Sequence, residues 1–370
     1  MAHSNYLLFI KNTLLRKWKT RKSRHFLSDA NLLLDARCFS RCHSCPHSLL
    51  RVQPNFKQLI SLEEAVFVAE QLAKNNCAHC TFYCCEPILR PDLADILAQF
   101  RNRGITTALV TNGYYSDPRW LREFKKAGLK EIRLEVFGSS AATHDRTLVM
   151  PGSFEQIFQL FHSAREMKIN CTMEVMPTHE NIDNGEFKKI VRLAEGQKIQ
   201  LNVHYPALVA GYTGEYNFLL TRDELAYVRQ FFQLPHVKAD FTQDGRLYQC
   251  PAGWKSIHIL SDGSVCPCRF IHISFGNILT ESLRDILFRM WSTKIFSGHV
   301  SRCLVGESLM FNRIYLQPVF NADSLPLYYK NHLMFIEGEP LIRFYVNSSG
   351  RIIEKSEDVT MEKIKTLRVL

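Results

Sequence analysis

The sequence predicts an α/β fold, an open partial (β/α)6 TIM-like barrel followed by a smaller C-terminal domain that contains cysteines. Apolar, β-branched runs alternate with helical patterns at intervals of roughly 25 to 35 residues. The connections between them are short, as in parallel sheets whose crossover connections all have the same handedness. This alternation stops near Phe241, where cysteines return. We therefore divide the chain into a basic N-terminal segment (1–29), the barrel (30–240), an auxiliary domain (241–316) and an extension of unknown role (317–370).

Six apolar, β-branched runs are the predicted strands: 30–36, 79–84, 105–111, 131–137, 169–176 and 199–205. Helical patterns follow them at 62–73, 91–103, 118–127, 153–167, 185–195 and 221–232. Ser61 and Glu64 form a capping-box pattern at the start of the first helix. Pro118 favours the start of the third helix, and Gly128 favours its end. Six such units can curl into an open barrel.

Composition excludes several classes of protein. The 370 residues are 46% hydrophobic, which is ordinary for a globular chain. Twelve cysteines are too sparse for a small disulfide scaffold, and their uneven bunching favours metal ligation in a reducing compartment. We therefore expect a cytoplasmic protein. The apolar run 6–10 is too short for a signal peptide or a membrane span, so no membrane association is expected.

The formal net charge is +10, and part of it lies near the N-terminus. The basic residues of that segment are Lys11, Arg16, Lys17, Lys19, Arg21, Lys22 and Arg24. A solvated amphipathic helix is the simplest interpretation, because isolated charge runs usually have that explanation. Contact with nucleic acid or with an acidic peptide is the alternative.

Three cysteines follow the first predicted strand, at positions 38, 42 and 45. A structural zinc ion takes four ligands, and a cubane iron–sulfur cluster has four iron corners, so three thiolates leave one position open for a substrate or cofactor. The CCEP run (84–87) follows the second strand, and the TNG run (111–113) closes the third. Because ligands bind at the carboxyl ends of parallel strands, these three motifs should meet at one rim.

In a chain of six βα units, the Cys38-x3-Cys42-x2-Cys45 motif resembles that of the radical S-adenosylmethionine (SAM) superfamily. In that family three cysteines hold a 4Fe–4S cluster, and the amino and carboxylate groups of SAM chelate the fourth iron. One electron then cleaves SAM to a 5′-deoxyadenosyl radical, which abstracts hydrogen from the substrate. The resemblance implies that Cys38, Cys42 and Cys45 are the catalytic cluster ligands, and it covers roughly residues 31–314.

Three further runs of the sequence resemble segments of the same superfamily. FYCCEPILRPDL (82–93) resembles the Gly-Gly-Glu-Pro stretch of the family, which implies that Glu86 accepts a hydrogen bond from the methionine ammonium. ALVTNGYY (108–115) resembles the Thr-Asn-Gly stretch, which implies that Thr111 and Asn112 line the cofactor rim. HDRTLVMPGSFEQI (144–157) resembles the segment after the fourth strand.

The chain also departs from the family pattern. Cys84 and Cys85 replace two glycines, so that two thiols stand beside the cofactor while the backbone can still bind it. Ser44 takes the place of an aromatic residue that usually faces the adenine, and His43 is the alternative face. The family's arginine after the HD pair falls on Leu148, with Arg146 the nearest substitute.

The second group of cysteines resembles the SPASM or twitch extension. Cys250-x12-Gly263-x4-Cys268 matches its opening, and SFGNILTESLRDIL (274–287) matches the run that follows. Asp262 and Gly263 favour a hairpin turn between the two ligands. Only Cys303 follows, so the resemblance implies one auxiliary 4Fe–4S cluster rather than two.

Cys250, Cys268 and Cys303 are then the expected ligands of the auxiliary cluster, and Cys266 is the candidate for the fourth. Cys266 and Cys268 are two residues apart, so on a regular strand their side chains would share a face, but Pro267 between them disfavours continuous strand pairing. A loop at this point could direct both thiolates at one metal centre. Alternatively, the same four thiolates could hold zinc.

Other residues have two interpretations. Cys77 and Cys80, with the two thiols of the CCEP run, could form another metal site, but buried core thiols are the favoured interpretation. Cys171, Trp254 and Trp291 are expected to serve in packing.

We therefore expect a radical SAM enzyme that modifies or matures a peptide or protein and receives electrons from a donor such as flavodoxin or ferredoxin. The alternative substrates are a small molecule or RNA, the latter favoured by the basic N-terminus. A different class would be a non-catalytic zinc or iron–sulfur protein that presents a surface to a partner.

Overall fold

The computed structural model describes residues 26–38, 45, 47, 50, 52–53, 55–83, 86–114, 117–207, 218–239, 249–296, 300, 302–336, 341–346 and 352–357. Cys42, His43, Ser44, Cys84 and Cys85 lie outside these residues, as does the basic N-terminal run.

The described residues form a sheet of nine strands in the order β7-β6-β5-β4-β3-β2-β1-β8-β9. Its strands are β1 Asp29–Leu32, β2 His79–Phe82, β3 Thr106–Thr111, β4 Leu129–Glu135, β5 Asn170–Val175, β6 Gln200–Val203, β7 Val237–Ala239, β8 Ser256–Ile259 and β9 Val265–Cys266. All neighbouring pairs are parallel except β8 with β9. Since β7 and β9 lie at opposite edges, the sheet is an open partial barrel, as predicted.

Helices connect the parallel strands. They are α1 Leu62–Lys74, α2 Leu93–Asn102, α3 Pro118–Ala127, α4 Ala141–Leu148, α5 Ser153–Glu166, α6 His179–Asp183, α7 Glu186–Gly196 and α8 Arg222–Gln230. The capping box of α1 is confirmed, because the Ser61 N–H donates to Glu64 Oε2 at 2.8 Å and the Glu64 N–H donates to Ser61 Oγ at 3.2 Å. Gly128 ends α3 with φ of 115°, in the left-handed region that glycine tolerates. The short helix α4 was not predicted, since it buries only His144 and Leu148 and shows no apolar period.

The second domain begins within the barrel sheet. Strand β8 pairs with β1 in parallel, with Asn31 opposite His258, and β9 then pairs with β8 as a hairpin. The hairpin turn falls at Asp262 and Gly263 as predicted, and Gly263 has φ of 88°. A side chain at Gly263 would meet the Asn277 side chain at 2.5 Å, so the turn needs glycine. Neither β7 nor β8 was predicted, because both are short and β8 crosses to the far edge of the sheet.

The remaining elements follow this hairpin in the chain. The main ones are β10 Ile273–Ser274, α9 Leu283–Trp291, α10 Leu304–Glu307, α11 Leu309–Phe311, the π-helical turn Asn312–Leu316, α12 Gln317–Phe320, β11 Leu327–Tyr328, α13 Leu333–Ile336, β12 Leu341–Val346 and β13 Ile352–Glu357. Strand β10 pairs with β11, so part of the extension joins the auxiliary domain. Strands β12 and β13 form an antiparallel pair.

The two faces of the barrel strands differ in chemistry. Apolar residues such as Leu109, Leu134 and Met173 are buried in the core that the helices share. Alternating polar residues contact each other across the strands: Arg133 lies 3.6 Å from Glu174, and the Thr172 hydroxyl donates to Glu131 at 3.2 Å. Parallel strands covered on both faces are usually apolar throughout. Here the face turned away from the helices carries polar side chains on β4 and β5, and we call this polar interior of the barrel the chamber.

Among the residues that the structure describes, no helix combines the length and apolar character needed to cross a membrane.

Candidate active site and second cysteine site

The ends of β2 and β3 bring Glu86, Thr111 and Asn112 together. Glu86 caps the 3-10 turn Pro87–Leu89 and is only 5% exposed. The Thr111 hydroxyl lies 2.8 and 2.9 Å from the two carboxylate oxygens of Glu86, and the Asn112 N–H donates to one of them at 3.2 Å. The two motifs that the sequence places after neighbouring strands therefore form one pocket, as the rim argument predicts.

Glu86 is a buried acid beside the cysteine loop. Its pKa is raised to about 8, because burial, with a smaller contribution from the nearby Cys38 thiol, outweighs the hydrogen bonds from Thr111 and Asn112 that lower it. No lysine or arginine of the described residues lies within ion-pair distance of Glu86. A carboxyl group held in this state favours a cationic ligand, because a cation would offset the cost of burying the carboxylate. The pocket therefore fits the amino group of SAM.

Cys38 and Cys45 lie at the same rim. Both are half-buried and neither forms a disulfide. The charge of Cys38 contributes to the raised pKa of both Glu86 and Glu135, which places this thiol close to the two acids. Thiolates are the protein ligands of iron–sulfur clusters, so the donor chemistry of the described part of the triplet fits such a cluster.

A row of charged residues on β4, β5 and the end of β6 lines the chamber near this rim. Glu135 and Glu174 are register partners on neighbouring strands, and burial followed by the charge of Glu174 raises the pKa of Glu135 to about 7. Glu174 contacts His204 Nε2, and His204 Nδ1 lies 2.9 Å from Arg269 Nη2. We did not predict this row, although charged residues alternating with apolar ones in EIRLE and NCTMEV are a readable signal.

Three cysteines of the second domain line one cavity of about 90 Å³. Cys250, Cys268 and Cys303 contribute to its wall together with His204 and Arg269. The Cys250 N–H donates to the Val300 carbonyl at 2.8 Å, which ties the first cysteine to the segment before Cys303. The hairpin turn and this bridge thus bring together residues that lie 53 positions apart.

The thiols of this cavity are suited to metal binding. Burial raises the pKa of Cys250 to about 12 and also raises that of Cys303. The Gly306 N–H donates to Cys303 Sγ at 3.4 Å, a contact that would stabilise a thiolate. Metal ligation deprotonates a thiol, so binding of a metal centre would supply the free energy that ionising these buried thiols requires.

Cys266 lies elsewhere. It is fully buried on β9, opposite His258 in the β8–β9 ladder, and belongs to the hydrophobic core rather than to the cavity wall. Strand β9 ends at Cys266, so the chain leaves the strand at Pro267, as the sequence indicates, and Cys268 alone of the two lies on the cavity wall. The structure thus brings together three of the four expected ligands and leaves out the fourth.

The arrangement does not resemble a mononuclear zinc site. Within the described ranges, no three cysteine, histidine or acidic side chains lie close enough to hold a single metal ion. A zinc ion requires its sulfurs to converge at about 2.3 Å from one point. Thiols spread around a cavity fit the corners of a polynuclear cluster better.

The structure also shows the positions of other residues that the sequence analysis discusses. Cys77 and Cys80 are buried core thiols, and Cys171 packs against the core. Trp254 is buried and donates to the Cys250 carbonyl at 2.6 Å, while Trp291 donates to the Gly253 carbonyl at 3.0 Å.

The motif after strand β4 is structural in the described residues. Asp145 accepts hydrogen bonds from the Gly152 N–H, the Ser153 hydroxyl and the Phe154 N–H at 2.7 to 2.9 Å, which caps α5. Leu148 is buried in the core, and Arg146 is exposed on α4.

Comparison with known families supports these assignments at the level of family. The model of the radical SAM superfamily matches residues 35–194, and that of the SPASM iron–sulfur cluster-binding domain matches residues 250–305.

Solved structures show the same fold. Streptococcus suis SuiB, bound to the precursor peptide SuiA, has a TM-score of 0.57 and 14% identity, with 78% of this chain and 70% of that chain covered. The enzyme anSMEcpe, with bound AdoMet (SAM) and the Kp18Cys peptide, has a TM-score of 0.56 and 16% identity, with 73% of this chain and 82% of that chain covered.

Proposed function

Because the chain belongs to the radical SAM superfamily and carries a SPASM iron–sulfur domain, we propose that it abstracts hydrogen from a peptide or protein in order to modify or mature it. The observation that carries the proposal is the buried carboxyl of Glu86, held by Thr111 and Asn112 beside Cys38 at the carboxyl rim of the barrel.

The chain is a radical SAM enzyme whose cofactors are SAM and 4Fe–4S clusters. When bound, the catalytic cluster and SAM supply one electron and a 5′-deoxyadenosyl radical. In our proposal Cys38, Cys42 and Cys45 ligate that cluster. Cys84, Cys85, His43 and Ser44 stand beside the cofactor, as the resemblance implies.

Glu86 receives the amino group of SAM in this proposal. The Thr111 hydroxyl bridges both carboxylate oxygens and the Asn112 N–H holds one of them, so the acid cannot rotate away from the rim. An ammonium beside Glu86 would lower its pKa and ionise it. A hydrogen bond to a charged group contributes about 1.5 to 3 kcal/mol.

The second site holds the auxiliary cluster in our proposal. Cys250, Cys268 and Cys303 supply thiolates from the wall of one cavity. An electron donor such as flavodoxin or ferredoxin would reduce the protein.

The peptide substrate rests on two supports. Both structural neighbours described above were solved with a peptide bound, as their descriptions state. The polar chamber next to the Glu86 pocket can take up hydrogen-bonding groups of a peptide, whereas an apolar barrel interior could not.

Deuterium transfer tests this function. The reconstituted, reduced protein would be incubated with SAM and either a pool of deuterated peptides or deuterated RNA. Deuterium should enter 5′-deoxyadenosine from the peptide pool. Transfer from RNA alone would overturn the peptide proposal, and no 5′-deoxyadenosine from either would mean that the site residues are wrongly assigned.

A further inference from the structure

Cys303 caps the short helix α10 and is tied to its last residue. The Cys303 N–H donates to Glu307 Oε2 at 2.8 Å, and the Glu307 N–H donates to the Cys303 carbonyl at 3.0 Å. The sulfur of Cys303 accepts from the Gly306 N–H at 3.4 Å. Because both backbone groups of the cysteine bond to Glu307, this acid fixes the position of the residue that carries the thiol.

Glu307 is a buried acid that also contacts the barrel. Its side chain is 2% exposed, and its Oε1 contacts the guanidinium of Arg229. Arg229 lies on α8, a helix of the barrel, whereas Glu307 and Cys303 belong to the auxiliary domain. A buried carboxylate that loses its cation keeps the cost of desolvation without the compensating attraction. One carboxylate therefore joins a barrel helix to a cysteine of the second site.

The loop that carries Cys303 is packed on both sides. A Cβ atom at Gly306 would lie 2.6 Å from Tyr205 Cβ, so α10 lies directly against the segment after β6. The fully buried side chain of Asn312 donates to two carbonyls of this loop at 2.9 and 2.7 Å. The loop is therefore held in place, and the carboxylate of Glu307 stays at a fixed position beside the cysteine.

The charge of Glu307 acts on the thiols of the cavity. Burial chiefly, with Glu307 among the smaller causes, raises the pKa of both Cys303 and Cys250. A carboxylate at this position opposes thiolate formation and the addition of an electron to a cluster that the thiolates hold, because both add negative charge. The guanidinium of Arg229 offsets this effect, while Glu307 still accepts from the Cys303 N–H.

We propose that Glu307 and Arg229 are positioning residues of the auxiliary cluster. Glu307 holds Cys303 on the cavity wall, and Arg229 balances the charge of Glu307 from the barrel and so sets the reduction potential of the cluster. This inference rests on the proposed function, because it takes Cys303 as a cluster ligand. It gives the barrel a part in tuning a cluster that the second domain holds.

The test measures the reduction potential of the auxiliary cluster in the full-length chain in which the three cysteines of the 38–45 motif are replaced by alanine. Arg229→Met should move the potential to a more negative value, because the carboxylate of Glu307 then lacks its cation. Glu307→Gln should move it to a more positive value, because the amide can still accept from the Cys303 N–H but carries no charge. A redox titration followed by electron paramagnetic resonance measures both shifts.

Combining the two changes separates charge from packing. The double variant Arg229→Met with Glu307→Gln lacks both charges, so its potential should lie between those of the single variants. Shifts of the two single variants in the same direction, or no shift in Arg229→Met, would contradict the role of the pair. Arg222→Met, at an exposed arginine of the same helix, is the matched control and should leave the potential unchanged.

Glu307→Ala tests the hold on Cys303, because alanine removes the acceptor as well as the charge. Release of iron to a chelator should be at least about tenfold faster than in the parent, as expected for a lost hydrogen bond to a charged group, and Glu307→Gln should lie in between. Equal release from Glu307→Ala and from the parent would contradict the positioning role. If Glu307→Ala fails to fold, the potentials of Glu307→Gln and Arg229→Met still decide the question.

Formation of 5′-deoxyadenosine by the wild-type enzyme is measured separately, so the role of the pair can fail while the proposed function holds. Absence of iron from the parent would contradict the auxiliary cluster itself, and with it this role of the pair.

Discussion

The first cysteine site is surrounded by carboxylates, whereas the wall of the second carries a guanidinium. Beside Cys38 lie Glu86 and Glu135, whose pKa values are raised to about 8 and about 7 by burial. Beside Cys268 lies Arg269, and the described lining of that cavity contains no acid. The same donor atom thus occurs in different electrostatic surroundings. Among the described residues, the acid close to the second site is Glu307, which accepts from the Cys303 N–H at 2.8 Å. A buried acid such as Glu86, with no ion-pair partner among the described residues, suits a cationic cofactor such as SAM, while a fixed cation suits an anionic cluster.

The largest difference between the sites should appear in iron content. Replacing Cys303 by alanine in the protein that lacks the Cys38, Cys42 and Cys45 thiols should remove the last cluster, about four irons per chain. Replacing Cys171, a half-buried thiol outside the cavity, is the matched control and should remove none. Iron and zinc analysis makes the measurement. Zinc in place of iron would show that the second site is structural.

Glu86→Gln should separate cofactor binding from cluster assembly. A neutral amide no longer offers a charged acceptor to the methionine ammonium, so the Kd for SAM should rise about ten- to a hundred-fold. Iron content should stay the same, because Glu86 is not a cluster ligand in our account. Equilibrium titration with SAM checks this, and an unchanged Kd would remove Glu86 from the cofactor site.

The acidic surroundings of the first site should also make stability depend on pH. The pKa of Glu86 rises from an ordinary 4.5 to about 8 on folding. An acid whose pKa is raised by folding contributes stability that is fully present below its pKa in the unfolded chain. This contribution is lost as the pH rises through its pKa in the folded protein. The cofactor-free protein should therefore lose stability between about pH 4.5 and 8, by on the order of a few kcal/mol from this group.

Thermal unfolding at a series of pH values in this range measures that loss. Glu86→Gln should flatten the profile, whereas Glu70→Gln, at an acid paired with Arg103 on the surface, should leave the slope as it is. A parallel loss of stability in Glu86→Gln and wild type would mean that other groups, such as Glu135, cause it.

The smallest effect is expected at Arg146. This residue is the nearest substitute for the family's arginine in sequence, but it is exposed on α4 and makes none of the contacts that form the Glu86 pocket. Arg146→Ala should leave the Kd for SAM within about twofold, well below the change expected for a lost charged hydrogen bond. A tenfold rise would place Arg146 at the cofactor.

The sequence predicts most of the barrel, because the sequence signals of its elements are local. The capping box at Ser61, the glycine end of α3 and the six strand–helix repeats each involve neighbouring residues. The meeting of Glu86 with Thr111 follows from one general rule, that the carboxyl ends of parallel strands share a rim.

The auxiliary domain is less predictable from the sequence, because its contacts join residues that are far apart in the chain. Strand β8 pairs with β1 across more than 220 residues, and no local pattern indicates that edge. The chain turns after Cys266, as Pro267 indicates, but the sequence does not show that only Cys268 reaches the cavity wall. The row from Glu135 to Arg269 draws on four separate segments, and its individual charges are ordinary in sequence.

The most direct test of the account combines SAM cleavage with iron analysis in the variant that replaces Cys38, Cys42 and Cys45 by alanine. The reconstituted and reduced variant should form no 5′-deoxyadenosine while it keeps about four irons per chain at the second site. Cleavage at the wild-type rate would contradict the assignment of the catalytic cluster to this triplet. Loss of all iron would contradict the independence of the two sites.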